Sequence, residues 1–328
     1  QGRTIVVGLG RTGLSCARYL HARGIAFAVT DNRAAPPEAT ALAKLAPSAE
    51  VRVGGFDSAL LEGASRIIVS PGVSVREPFV AGATAKGISV IGDIELFAQE
   101  ARAPIAAITG TNGKSTVTTL VARMSEASGQ RTLAGGNLGR PALDLLEDAV
   151  PDLYVLELSS FQLETTHSLR ARAACVLNVT SDHMDRYESM AEYAAAKERI
   201  FAGAAFAVVN QDDPFVREMN VGAARVLRFA FAPQADVDYY INKRGDEMVL
   251  TRRGDELVGM SELKIAGTHN ALNALASLAM AEALGLELRS CIEALRTFEG
   301  LPHRSQWVAD IGAVSRPSYA FTSPDSAS

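Results

Sequence analysis

The segment Ile105-Ala106-Ala107-Ile108-Thr109-Gly110-Thr111-Asn112-Gly113-Lys114-Ser115-Thr116 limits the possible folds more than any other feature of this chain. A short unbroken apolar run reads as a strand buried on both faces of a parallel sheet. Two glycines then let the backbone turn its N–H groups toward an anion. A helix is expected to open at Lys114, and its N-terminus favours negative charge. The lysine offers a point charge and the hydroxyls of Ser115 and Thr116 offer oxygen to a hard cation. Strand, glycine turn, Lys-Ser-Thr and helix together form a phosphate-cradling loop for a nucleoside triphosphate with Mg²⁺. The general pattern has a further glycine where this chain has Ile108, so the loop is a variant of it.

In open α/β sheets, ligands gather beyond the carboxyl ends of the strands. Two neighbouring strand ends carry suitable groups. Tyr154–Leu158 is expected to be a strand and is followed by Ser159 and Ser160, with Glu157 a candidate Mg²⁺ ligand. Ala174–Leu177 is a second strand, followed by Asn178, Thr180, Asp182, His183 and Asp185. On residue type alone, Glu157 could be ion-paired, His183 structural and the two aspartates turn residues.

A second glycine-rich turn, Gly8-Leu9-Gly10-Arg11-Thr12-Gly13, follows the apolar run Thr4–Val7 and precedes a helix ending near Ala22. Asp31 closes the next strand, Ile25–Thr30, where it could meet a ribose hydroxyl. Ser70-Pro71-Gly72 ends the strand Ala64–Val69 near the same edge. Taken alone, this pattern fits an NAD-dependent oxidoreductase. That reading explains only the first loop, whereas an enzyme joining a nucleotide-carried substrate to ATP chemistry explains both.

The remaining sequence sets the frame. The 328 residues suffice for two cores, and 32 basic against 37 acidic residues give a net charge of −5 without a basic face for nucleic acid. No apolar run is long enough for a membrane span, and the start, Gln1-Gly2-Arg3-Thr4, runs straight into a strand, so no leader is expected. Cys16, Cys175 and Cys291 are few and scattered. Cys16 and Cys175 read as reduced core thiols in a cytoplasmic protein. The chain divides into 1–93, a Rossmann-like α/β domain, and 94–300, a central P-loop α/β domain, joined at Gly92-Asp93-Ile94-Glu95, where Asp93 could cap a helix. Val226–Leu263 reads as antiparallel hairpins appended to the parallel sheet. Thr268–Leu284 and Ser290–Thr297 read as helices. Residues 301–328 read as a linker and an irregular Ser/Pro tail.

These pieces together resemble the Mur ligase family. The resemblance covers about residues 3–314 and is carried by Gly8–Gly13, Ser70–Gly72, Gly92–Leu96, Thr109–Thr116, Gly135–Asn137, Leu156–Glu164, Asn178–Tyr187, Ala196–Arg199, Gly267–Asn273 and Gly300–Arg304. Ser159–Glu164 and Asp182–Tyr187 resemble the branch that adds D-glutamate to UDP-N-acetylmuramoyl-L-alanine in peptidoglycan precursor synthesis.

The resemblance implies ATP-driven amide-bond formation through an acyl phosphate, with Lys114, His183 and Lys197 catalytic. Ser115, Glu157, His183 and Lys197 would hold Mg²⁺, with Lys197 carbamylated by CO₂. By its position in a helix alone, Lys197 would be an ordinary surface lysine. ATP would be held by Gly110–Thr116, His269, Asn270, Asn273 and Arg304. The UDP-substrate would be held by Gly10, Arg11, Thr12, Asp31, Asn32, Arg33, Ser70, Pro71, Gly72, Asn137 and Ser159. A monomer is expected. Family members continue into a third α/β domain after Arg304. Here the Ser/Pro tail takes its place, so this domain is expected to be missing and ligation impaired. A nucleotide-binding fragment without ligase activity is the alternative.

Overall fold

A computed structural model describes residues 2–301 apart from 138 and 223. The chain first builds a five-stranded parallel sheet from β1 (Arg3–Val7), β2 (Phe27–Asp31), β3 (Glu50–Val53), β4 (Ala64–Val69) and β5 (Ser89–Gly92), in the order β3-β2-β1-β4-β5. Its helices are α1 (Arg11–Ala22), α2 (Ala39–Leu45) and α3 (Pro78–Ala85). The direction of winding reverses between β1 and β4. A crevice therefore opens beyond the carboxyl ends of these two strands, where the Gly8–Gly13 and Ser70–Gly72 turns lie. The central strands were legible as apolar runs. β3 was not, because it is an edge strand with exposed Val51, Arg52 and Val53.

Helix α4 (Asp93–Glu100) leads to the second sheet. Its parallel part comprises β6 (Ile105–Thr109), β7 (Thr132–Gly136), β8 (Leu153–Glu157), β9 (Ala173–Val176), β10 (Phe206–Asn210) and β11 (Arg225–Phe229). It continues into β12 (Tyr239–Arg244), β13 (Glu247–Arg252) and β14 (Asp255–Gly259). The order is β14-β13-β12-β11-β10-β9-β6-β8-β7. β6 is buried along its whole length and lies between β8 and β9. The two strand ends that carry polar groups therefore flank the phosphate loop. Helices α5 (Lys114–Ala127), α8 (Thr268–Leu284) and α9 (Leu288–Thr297) cover one face, and α6 (Ser160–Glu164) and α7 (Met190–Glu198) belong to the other.

Two expectations are corrected. The antiparallel region begins at β12, not near Val226, because β11 pairs in parallel with β10 from Phe206↔Arg225 to Asn210↔Phe229. Asp93 does not cap α4. It is the first helical residue, with Gly92 at the cap, and its side chain is buried against Gln162. By contrast, α8 spans Thr268–Leu284 as read. Its Ala/Leu surface is buried almost all round, and it stops at Gly285, whose φ is +75°. The Leu286 N–H bonds back to the Ala281 carbonyl at 2.9 Å, closing the helix end.

One apolar cluster runs through the junction of the two sheets. Leu9, Leu14, Cys16 and Tyr19 of the first unit share it with Phe97, Leu143, Leu145 and Tyr154 of the second. All three cysteines are free and buried. Among the described residues no helix is long and apolar enough to cross a membrane.

Candidate functional site

The phosphate loop is held from the neighbouring strand end. Asn178, just beyond β9, accepts from the backbone N–H groups of Thr111 (3.1 Å) and Asn112 (2.8 Å) through Oδ1, and its Nδ2 donates to the Asn112 carbonyl at 3.1 Å. The Thr111 N–H also bonds to the Asn178 carbonyl at 3.0 Å. These bonds fix the loop's path without using the N–H groups at the start of α5. Gly113 has φ +84°, and a Cβ there would lie 2.3 Å from Oδ1 of Asn273. A side chain at Gly113 would therefore strain the backbone and collide with α8.

A hydroxyl and a carboxylate meet beside the loop. Ser115 Oγ donates to Glu157 Oε2 at 2.8 Å, and Asn137 Nδ2 donates to Glu157 Oε1 at 2.8 Å. Glu157 is 3% exposed at the end of β8. Hydroxyl and carboxylate oxygens suit Mg²⁺, which completes its shell with phosphate and water. Among the described residues no group of three or more His, Cys, Asp or Glu side chains could hold a metal by itself. The residues present fit a cation shared with a triphosphate.

Two lysines converge on one carbonyl. Lys114 Nζ donates to the carbonyls of Gly110 (2.9 Å) and Thr111 (2.8 Å), and Lys197 Nζ donates to that of Gly110 (3.0 Å). Lys197 is 1% exposed, so the surface-lysine reading of its helix is wrong. Burial first, and then the nearby Lys114 charge, lower its pKa to about 7. Its ammonium lies 4.4 Å above the Tyr193 ring. His183 also contacts that tyrosine, with ring centroids 6.2 Å apart and edge-on. The His183 ring also packs 4.8 Å from Phe161, and its backbone takes φ +55°. His183 and Lys197 are thus gathered around Tyr193.

In the first unit, Gly13 allows α1 to approach β1 closely, since a Cβ there would sit 1.9 Å from the Gly8 carbonyl oxygen. Asp31 is buried. It accepts from the Leu9 N–H at 2.6 Å and from the Arg33 backbone (2.8 Å) and guanidinium (2.9 and 2.7 Å). Burial opposes its ionisation, but these bonds outweigh burial and hold its carboxyl below the usual range. Asp31 therefore shapes the glycine turn and orients Arg33 beside Asn32. Ser70 Oγ donates to the Gly8 carbonyl at 3.0 Å, joining the two turns. Pro71 and Gly72 continue that second turn. Gly10 caps α1, and Arg11 and Thr12 open it, with the Arg11 guanidinium reaching the Gly139 carbonyl of the second unit.

Ser159 caps α6. Its Oγ accepts from the Gln162 N–H at 3.2 Å, and Gln162 Oε1 accepts from the Ser159 N–H at 3.1 Å. On α8, Asn270 Nδ2 donates to the Ala266 carbonyl at 2.8 Å, and Asn273 faces Gly113. His269 is exposed in the first turn of α8. Arg304 lies outside the described residues. Sequence reasoning did not single out Asn178, Tyr193 or Phe161 as site residues. Asn178 and Phe161 lie in the Asn178–Tyr187 and Ser159–Glu164 segments, which were the available signal, whereas Tyr193 falls outside every such segment.

Comparison with known proteins gives a consistent result. Residues 108–281 match the model of the Mur ligase middle domain, and residues 2–92 match that of the Mur ligase MurD-like N-terminal domain. A UDP-N-acetylmuramoylalanine–D-glutamate ligase of Nitrosococcus oceani is 50% identical over 311 residues, covering 95% of this chain and 69% of the relative. The enzyme of the same name from Pseudomonas aeruginosa is 49% identical with the same coverage. Among solved structures, a UDP-N-acetylmuramate:L-alanyl-γ-D-glutamyl-meso-diaminopimelate ligase from Neisseria meningitides aligns with a TM-score of 0.62 at 19% identity. That alignment covers 92% of this chain and 99% of the other. UDP-N-acetylmuramate-alanine ligase MurC from Thermotoga maritima aligns with a TM-score of 0.57 at 21% identity, covering 93% and 70%. These two likenesses concern the fold.

Proposed function

This chain belongs to the Mur ligase family, and from that premise we propose that it serves the ATP-dependent ligation of D-glutamate to UDP-N-acetylmuramoyl-L-alanine. One observation carries the proposal. The Ser115–Glu157 hydroxyl–carboxylate pair, 2.8 Å apart, stands beside a lysine-bearing phosphate loop in a chain 50% identical to a D-glutamate ligase.

A carboxylate does not acylate an amine directly, because oxide would have to leave. Attack by the substrate carboxylate oxygen on the γ-phosphorus breaks the bond to ADP and yields an acyl phosphate. The D-glutamate amine then attacks the acyl carbon, inorganic phosphate departs, and the amine gives up a proton. Phosphoryl transfer of this kind depends mainly on positioning and charge neutralisation. Lys114 Nζ, now resting on the Gly110 and Thr111 carbonyls, is within the loop that would receive the β- and γ-phosphates. Mg²⁺ would neutralise phosphate charge, held by Ser115 and Glu157. Carbamylated Lys197 and His183 would supply further ligands. Asn270 and Asn273 on α8, with His269 and Arg304, would bind the rest of ATP. In residues 1–93, Gly10–Thr12, Asp31–Arg33 and Ser70–Gly72 would hold the UDP-substrate. Asn137 and Ser159 would receive its muramoyl-alanine end within the central unit, 94–300.

The test is calorimetry and product analysis on the same chain. Binding of UDP-N-acetylmuramoyl-L-alanine and of Mg-ATP is expected, as is release of ADP that requires the UDP-substrate. Amide product formed on addition of D-glutamate would show that this chain also completes the ligation, against the impaired ligation expected from its sequence. Absence of binding by both nucleotides, or quenching of NADH fluorescence, would overturn the reading. Binding of both nucleotides without ADP release would support a nucleotide-binding role instead.

A further inference from the structure

The two units meet in two different ways. On one side of the junction the contact is apolar, with Leu14 and Tyr19 sharing a core with Phe97 and Leu145. Near the ligand-binding loops the contact also carries charged side chains, around a crevice of about 300 Å³ whose lining includes Arg76, Glu164, Arg186 and Glu192 together with Val75 and Ala196. On that side directional bonds add to the apolar packing and fix orientation as well as distance.

Arg186 supplies them. Its two terminal nitrogens donate to two carbonyls of a single segment of the first unit, NH1 to Pro71 at 3.0 Å and NH2 to Val73 at 2.9 Å. The guanidinium is held in plane by the Phe161 ring, 4.2 Å from its carbon, and by the Glu164 carboxylate at 3.6 Å. Both are on α6, which is capped by Ser159 directly beyond the strand that carries Glu157. At its own backbone, Arg186 belongs to the turn of His183, with its N–H bonded to the His183 carbonyl at 2.9 Å. One side chain thus connects the Ser70–Gly72 turn, the His183 turn and the Glu157 strand end. A second contact runs the opposite way, from Arg76 of the first unit to Glu188 at 3.0 Å and to Glu192 on α7. That pair is exposed and contributes little rigidity. The Arg186 side chain is 14% exposed, so its bonds are shielded from water.

We propose that Arg186 is a positioning residue that sets the distance between the Ser70–Gly72 turn and the His183–Glu157 region. A substrate held by its UDP group in the first unit then delivers its carboxylate to the phosphate loop. This rests on the function proposed above. The planar fork is what matters, because two parallel donors fix both distance and orientation, whereas an ammonium provides one point of charge.

The experiment compares the wild-type chain with Arg186→Ala and Arg186→Lys by calorimetry, using UDP, UDP-N-acetylmuramoyl-L-alanine and Mg-ATP as separate titrants. UDP contacts the first unit alone, so its affinity is expected to stay within twofold in both variants. The complete substrate spans the two units, and its affinity is expected to fall by about tenfold or more in both, equivalent to about 1.4 kcal/mol. Mg-ATP affinity is expected to stay within twofold. Wild-type substrate affinity in Arg186→Ala would overturn the proposal, as would full rescue by Arg186→Lys. A parallel loss for all three titrants would mean that Arg186 only holds the fold together, and would also overturn it. A wild-type chain that binds neither UDP nor the full substrate would instead defeat the underlying functional reading. If Arg186→Ala does not fold, Arg186→Lys decides the question alone, since it keeps the charge and the aliphatic stem.

Discussion

Replacing Asp93 by Asn should stabilise this protein, and do so in a pH-dependent way. Asp93 is 3% exposed where the two units join, its Oδ2 accepts from Gln162 Nε2 at 2.9 Å, and its Oδ1 has no hydrogen-bond partner. Burial raises its pKa from 3.8 to about 6, an effect that the Gln162 bond and then the nearby backbone N–H groups of Ile94 and Asp93 reduce but do not cancel. The sign follows from proton linkage. Between pH 4 and pH 6 the folded chain holds a proton that the unfolded chain has released, so stability falls as pH rises through that window. Above pH 6 the whole cost is present. A shift of about two pKa units corresponds to about 3 kcal/mol. Asn keeps an acceptor for Gln162 and carries no charge, though its amide needs a partner of its own, which subtracts about 1–2 kcal/mol. Urea unfolding followed by circular dichroism should therefore show Asp93→Asn more stable than wild type by about 1–2 kcal/mol at pH 8. At pH 4 that difference should disappear or change sign. Comparing two proteins at each pH cancels the titration of all other groups. A difference independent of pH would refute the reasoning, as would destabilisation that grows toward pH 8.

Two further outcomes follow from the site. Lys197, with a pKa of about 7, should be about nine-tenths neutral at pH 8, against well under 1% for an ordinary lysine. With ¹³C-bicarbonate, a carbamate resonance should therefore form with a midpoint near pH 7 and be absent in Lys197→Arg; a resonance that survives the substitution would exclude this lysine. Gly113→Ala should weaken Mg-ATP binding by about five- to thirtyfold in calorimetry, because its φ of +84° and the 2.3 Å approach to Asn273 add about 1–2 kcal/mol of strain. Unchanged affinity would show that the loop does not need this geometry.

The legible parts of this chain were those written in consecutive residues. Ile105–Thr109 and Ala64–Val69 appear as strands where their apolar runs lie, and Thr268–Leu284 ends at the glycine that terminates it. Burial on both faces and a left-handed helix end leave local signatures. Edge strand β3 left none, because one flank of an edge strand faces water and charged residues are tolerated there. The parallel pairing of β11 was also hidden, because strand direction depends on partners distant in sequence.

The candidate site divides in the same way. By itself, the sequence determined the phosphate loop, the glycine turn of the first unit and the two acidic strand ends, since each is a short pattern dictated by backbone geometry and phosphate charge. The tertiary structure decided what those patterns do together. It buried Lys197 against the Gly110 carbonyl, a contact spanning 87 positions, and thereby lowered the pKa of a helix lysine to about 7. It spent both oxygens of Asp31 on the Leu9 N–H and on Arg33, and placed Asn178 beneath the phosphate loop. It also carried Arg186 across to Pro71 and Val73. The physical reason is that desolvation and hydrogen-bond partnership belong to positions in space. Local sequence specifies a residue's backbone conformation, but the packing of distant segments sets the dielectric and the donors around its side chain.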